Sequence, residues 1–140
     1  YRLGAFGHLG HDALRARDPA EGSTGNYGLQ DAVAALRWLS DNVGALGGDP
    51  SRVTIFGESS GAGTVSQLLG YEASWPFWSR AILESGAAAF WTQMPMLAAY
   101  HAFDRVVAAT DCGKTGDIDA QIACLVAAPS DTVASAVGDE

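Results

Sequence analysis

Basic residues are scarce. Lysine and arginine total 8 against 16 aspartates and glutamates, so the 140-residue chain carries a formal charge of −8 and a sequence pI near 4.6. Without a basic surface to meet phosphates, a nucleic-acid role has no support. The acidic residues are scattered, which reads as a solvated surface and favours a cationic partner only weakly. No apolar run approaches the roughly 20 residues that a membrane-spanning helix needs. Nothing resembles a signal peptide, a repeat or a low-complexity linker. There are only two cysteines, Cys112 and Cys124, and no histidine or further cysteine stands near them at ligand spacing, so no metal site is expected. An initiator methionine is also missing: the chain starts at Tyr1 within strand-like sequence and ends at Glu140 just after a helical pattern. It reads as a piece of a longer protein.

What is present is a globular composition, 48% hydrophobic and 17% charged, and about one domain's length of chain. Residues 1–10 read as the end of a strand and 11–25 as a polar loop. Leu29, Val33, Leu36, Leu39, Val43 and Leu46 recur at three- and four-residue steps, which predicts an amphipathic helix ended by Gly47-Gly48-Asp49-Pro50. Arg52 to Phe56 reads as a strand buried on both faces. A helix is expected from about Ala62 to Leu69, then a loop around Tyr71–Phe77. A further strand, Ala81-Ile82-Leu83, is closed by Glu84-Ser85-Gly86. The alternation predicts an α/β fold with a mostly parallel sheet flanked by helices. Beyond Trp91 only helices are expected: Met96 to Thr110, Asp117 to Val126, and a last one with Ser130 as its N-cap.

The chemistry concentrates at Gly57-Glu58-Ser59-Ser60-Gly61, a Gly-x-Ser-x-Gly between an apolar β-branched run and a small-residue helix pattern. In that context the motif is a nucleophile elbow: a strained turn that presents the serine hydroxyl at the tip of the sheet. Gly57 and Gly61 are expected at positions where a Cβ would collide with a neighbouring element. A serine hydroxyl needs a base to accept its proton and donors to hold the oxyanion that forms. The N–H of Ser60, at a helix N-terminus, is placed to be one such donor. Glu58 puts a carboxylate beside the nucleophile, where it shapes the local field.

Around the elbow stand further motifs in order: Tyr1-Arg2-Leu3-Gly4-Ala5-Phe6-Gly7, Gly25-Asn26-Tyr27-Gly28-Leu29-Gln30-Asp31, Ala35-Leu36-Arg37-Trp38, Gly47-Gly48-Asp49-Pro50-Ser51-Arg52-Val53-Thr54 and Arg80-Ala81-Ile82-Leu83-Glu84-Ser85-Gly86. With Phe56-Gly57-Glu58-Ser59-Ser60-Gly61-Ala62, the series resembles the type-B carboxylesterases, the cholinesterase and carboxylesterase group of α/β-hydrolases. The resemblance covers most of the chain and is densest over residues 1–91. It implies that residues 1–140 are the central part of a single α/β-hydrolase domain. It further implies a carboxylic ester hydrolase that needs no cofactor, with a small-molecule ester as substrate. Ser59 matches the family's nucleophile, Ser60 the oxyanion-hole residue after it, and Glu58 the glutamate before it. Trp91 falls near the acyl-pocket tryptophan, with Phe90 an equal candidate.

Ser60 departs from the usual alanine and His8 from the usual aromatic residue. The family's glycine-rich oxyanion loop corresponds to sequence upstream of Tyr1. Its acid and histidine come in the order Ser, acid, His and fall beyond Glu140. His8 and His11 precede the nucleophile, and His101 lies on a helix beside Tyr100, so no base is assigned within this chain. These 140 residues alone are accordingly expected to be inactive. Read alone, the two cysteines could be paired or free; the resemblance implies a disulfide between them. That bond would favour a secreted or lumenal protein. The rival reading is a non-catalytic adhesion or scaffold protein, since the family includes members that keep the fold without the activity.

Overall fold

The computed structural model describes residues 1–86 and 93–137, and these divide into two compact units. The first to consider runs continuously, Leu29–Gln93. Most of a helix α3 (Tyr27–Asn42) leads into it, followed by strand β1 (Thr54–Glu58), helix α4 (Ser60–Gly70) and strand β2 (Arg80–Glu84). The two strands pair in parallel, in register from Thr54↔Arg80 to Glu58↔Glu84. Parallel neighbours need a crossover, and α4 provides it. Val33, Ile55, Val65 and Leu68 form the core, with Leu29, Leu36, Phe77, Trp78, Ala81 and Leu83 packed on it.

Ser74 ties the crossover together. Fully buried, its Oγ shares one proton between the carbonyls of Leu68 (2.9 Å) and Tyr71 (2.8 Å) and accepts the indole N–H of Trp78 (3.1 Å). Before β1, the Asp49 side chain accepts the Ser51 N–H at 2.9 Å and pairs with Arg52, which closes the Pro50–Arg52 turn.

The other unit combines Tyr1–Gly28 with Met94–Glu140. It contains α1 (Gly4–His8), α2 (Asp12–Arg15), α5 (Met96–Ala108), α6 (Ile118–Ala127) and α7 (Ser130–Ser135). Two small cores hold it: Ala5, Val106 and Val133 in one, Phe103, Val107 and Ile122 in the other. Asp117 caps α6 by accepting the Ala120 N–H at 2.9 Å. A disulfide joins the 3-10 turn after α5 to α6, Cys112 to Cys124. By closing a loop of 12 residues it restricts the unfolded chain, an effect of about 3 kcal/mol in the chain-entropy account.

Several expectations are corrected. Residues 4–8 form a helix, not a strand end: the Gly7 N–H donates to the Leu3 carbonyl, and Leu9 N–H to Ala5. The turn needs glycine, because a Cβ on Gly7 would lie 2.1 Å from the Arg2 carbonyl oxygen. The expected loop over 11–25 contains α2, capped by His11, whose Nδ1 accepts the Ala13 N–H. The helix expected to reach Leu46 ends at Asn42. A 3-10 turn over Val43–Leu46 follows, stopped by Gly47 in the left-handed region, and Leu46 points to solvent.

The expected loop Tyr71–Phe77 is largely a 3-10 turn, Glu72–Phe77. Ser130 is the first residue of α7 rather than its cap, a position taken by Pro129 with no side-chain bond. β1 is buried on one face only: Ile55 is covered, whereas Phe56 is 76% exposed and its neighbour Ile82 50%. Alternation explains this, since α4 and α3 lie against the Ile55 side alone.

Candidate active site

β1 ends at Glu58, and α4 begins at Ser60. Ser59 alone makes the turn, with φ 50° and ψ −115°. A positive φ is unusual for a residue with a Cβ and costs on the order of 1–3 kcal/mol. The turn is held from both sides: the Ser59 N–H donates to the Glu84 carbonyl at 2.9 Å, and the Ser59 carbonyl accepts the Gly63 N–H at 3.0 Å. Ser59 thus stands at the N-cap position of α4. Serines there usually fold the hydroxyl back onto the helix. Here the Ser59 side chain makes no cap hydrogen bond, so its Oγ is not consumed by the helix.

Local packing makes the turn possible. A Cβ built on Gly57 would lie 2.3 Å from both the carbonyl carbon and the oxygen of Gly61, and 2.7 Å from the Ala62 nitrogen. The expectation for Gly57 therefore holds. For Gly61 it does not, since a Cβ there meets nothing within 4 Å among the described residues. The close approach is one-sided: strand glycine against helix backbone.

The N–H groups of Ser60, Gly61 and Ala62 have no acceptor one turn back, because helices leave their first donors unpaired. They sit at the positive end of the α4 dipole, immediately after the Ser59 hydroxyl. Glu58 is exposed at the strand end and stands in register with the exposed Glu84 on the neighbouring strand. Two carboxylates side by side disfavour each other and give the rim beside Ser59 a negative field.

Glu58, Ser59 and Ser60 are thus consecutive at the strand–helix junction. Trp91 and Phe90 lie outside the described residues. Of the histidines, His11 has its ring against Tyr100 and Phe103, with centroids 4.9 and 4.7 Å away. His8 sits beside Gly28, and His101 is exposed on α5. In the sequence Ser85 stands only as part of the strand-closing Glu84-Ser85-Gly86, with nothing of its own to mark its conformation. With φ 54°, it is the second non-glycine at positive φ among the described residues, one step beyond the Glu84 carbonyl that holds Ser59. The available signal was the parallel between Glu58-Ser59 and Glu84-Ser85, each closing a paired strand.

Comparison with known proteins agrees with this architecture. The profile described as "Carboxylesterase family" matches residues 1–139. Fumonisin B1 esterase of Sphingopyxis macrogoltabida is 47% identical over 85 residues, which is 61% of this chain and 16% of that protein. Carboxylesterase 5A of Felis catus is 41% identical over 132 residues, 94% of this chain and 23% of that protein. The chain therefore spans well under half the length of these relatives. A crystal structure of a carboxylesterase from Geobacillus stearothermophilus superposes with a TM-score of 0.81 at 33% identity, covering 98% of this chain and 27% of that one. A parallel strand pair turning sharply into a helix, in a sequence matched from Tyr1 to residue 139, makes the chain a member of the type-B carboxylesterase family, with its α/β-hydrolase fold.

Proposed function

We propose that the protein is a serine carboxylesterase and that Ser59 is its nucleophile. The observation that carries this reading is the Ser59 turn: a strained serine whose hydroxyl is left out of the helix cap it occupies. Ser59 Oγ adds to the ester carbonyl carbon while its proton passes to a base supplied from outside residues 1–140. The carbonyl oxygen becomes an oxyanion that accepts the Ser60 N–H, a type of contact worth about 10²–10³ in rate. Collapse breaks the bond to the alkoxy group, which takes up the proton and leaves as alcohol. Water repeats the sequence on the acyl-Ser59 ester and releases the acid. Glu58 tunes the field beside the nucleophile. No step calls for a cofactor, and the substrate class is a small-molecule ester.

In this reading residues 1–140 are the central part of one hydrolase domain, and the open Phe56–Ile82 face is covered by further chain of the same domain. Without the base, these residues alone give no turnover. The Cys112–Cys124 disulfide favours a secreted or lumenal setting. Treating the intact protein with a fluorophosphonate and mapping the adduct by mass spectrometry tests the assignment. The expected result is a single phosphonyl group on Ser59, absent in Ser59→Ala. A folded protein that takes no label there is the non-catalytic relative instead.

A further inference from the structure

Strands β1 and β2 end level with each other, and each is followed by a serine at positive φ, Ser59 at 50° and Ser85 at 54°. The nucleophile reading accounts for the first and leaves the second without a role. One hydrogen bond joins the two turns: the Ser59 N–H donates at 2.9 Å to the carbonyl of Glu84, the residue before Ser85. That bond carries the parallel ladder one step past the last register pair, Glu58↔Glu84. The ladder cannot go further. Its next acceptor would be the Ser59 carbonyl, which already takes the Gly63 N–H of α4. The chain after β2 therefore turns away at Ser85, directly beyond the carbonyl that Ser59 needs.

We infer that Ser85 is a positioning residue for the nucleophile and acts through its backbone: its positive φ aims the Glu84 carbonyl at the Ser59 N–H. The peptide unit between Glu84 and Ser85 is planar, so it turns as one piece, through ψ of Glu84 and φ of Ser85 together. β2 is held by its pairing. If the exit direction at Gly86 is kept, bringing φ of Ser85 from 54° to an ordinary value of about −60° swings that unit by roughly 110°. The Glu84 carbonyl swings with it and leaves the Ser59 N–H. Ser59 then keeps only its Gly63 contact, and one side of its strained turn is released. The Ser85 hydroxyl has no part in this. What matters is a residue that accepts positive φ, which glycine does freely and a β-branched residue does not.

The kinetic consequence rests on Ser59 being the nucleophile; the structural one does not. Two substitutions in the intact protein separate backbone from hydroxyl. Ser85→Gly removes the hydroxyl and keeps the φ, whereas Ser85→Thr keeps the hydroxyl and, being β-branched, resists the φ. Hydrogen exchange at the Ser59 amide is read by mass spectrometry on peptides spanning residues 56–63, and nucleophile geometry by the rate of fluorophosphonate labelling. Ser85→Gly should match the unmutated protein in both. In Ser85→Thr the exchange should quicken and the limiting rate of labelling should fall, each by about tenfold, with the reagent concentration for half-maximal rate unchanged. A Ser85→Thr variant that melts earlier yet labels and exchanges as before has lost only stability, and overturns the inference. So does the reverse pattern, glycine impaired and threonine normal, which assigns the role to the hydroxyl. Equal behaviour of the two variants overturns it as well. If the unmutated protein takes no label, the nucleophile assignment falls instead, and the exchange comparison alone decides the role of Ser85.

Discussion

Gly57 and Gly61 share one motif, yet the structure assigns them opposite tolerances, and a pair of alanine substitutions separates them. The new methyl of Gly57→Ala would stand 2.3 Å from the Gly61 carbonyl carbon and oxygen. Carbon atoms in contact prefer about 3.5–4.0 Å, so α4 must retreat by more than 1 Å or the strand must bend. Neither atom is the end of a flexible side chain. Overpacking of this kind typically costs about 1–3 kcal/mol. The displaced segment carries the Ser60 N–H, so labelling of Ser59 by fluorophosphonate should fall by about 10²-fold or more, as expected for a misplacement near 1 Å. Gly61→Ala adds a methyl that meets nothing within 4 Å among the described residues. It should be neutral or stabilise by up to about 1 kcal/mol, through the conformational freedom that glycine forfeits on folding. Thermal unfolding and labelling rate, measured on both variants, decide the matter. Equal losses in both, or a Gly57→Ala variant that labels at the original rate, would refute the one-sided contact.

Ser59→Gly should abolish labelling yet unfold at higher temperature than Ser59→Ala. Glycine adopts φ 50°, ψ −115° without the strain that alanine retains, worth on the order of 1–3 kcal/mol before glycine's own entropy cost is deducted. Equal melting temperatures would mean that the strain is no larger than glycine's entropy cost, about 0.5–1 kcal/mol. Ser74→Ala leaves the Trp78 N–H without its acceptor, while the Leu68 and Tyr71 carbonyls lose the hydroxyl but keep the backbone N–H groups of Tyr71 and Ser74. Urea unfolding should show a loss of roughly 1–3 kcal/mol, and a loss within error would remove Ser74 from its linking role. Acid should destabilise the chain through its aspartates. Asp18 is held below the usual carboxylate range chiefly by the Ser23 hydroxyl, and Asp49 chiefly by the Ser51 hydroxyl. A depressed folded-state pKa gives stability that is complete above the unfolded value and lost as pH falls through the folded one. Asp18→Asn and Asp49→Asn should each flatten the decline in stability below roughly pH 4, modestly because both groups are solvent-screened. An unchanged slope in both would contradict the assigned hydrogen bonds.

The site was legible where a motif encodes backbone geometry. Gly-x-Ser-x-Gly between a β-branched run and small helical residues specifies a turn, and Ser59 occupies it at positive φ. Periodicity located α3 through Leu29, Val33 and Leu36, which do meet the core. It failed at Leu46, because a 3-10 turn replaces the last helical turn and rotates the register. Alternating small and apolar residues over 1–7 mimic a strand, and only the close approach of Gly7 to the Arg2 carbonyl separates helix from strand. The exposure of Phe56 was not readable, since an apolar residue on a strand does not say whether its side of the sheet is covered. Ser74 was invisible for the opposite reason: a lone serine gives no hint of partners at Leu68, Tyr71 and Trp78.

The two units differ in how the chain threads them. Leu29–Gln93 is continuous, whereas its counterpart joins Tyr1–Gly28 to residues that begin at Met94. On a ribosome the strand pair and the Ser59 turn can therefore close as soon as their own residues emerge, with α4 as a short crossover and little loop to confine. The first 28 residues must wait for partners made more than 60 residues later, and Ala5 meets Val133 only once that residue has been made. Cys112 and Cys124 both belong to that late segment. Oxidation of the pair thus belongs to the late assembly of the discontinuous unit, and the strained Ser59 turn can form before the Cys112–Cys124 bond exists.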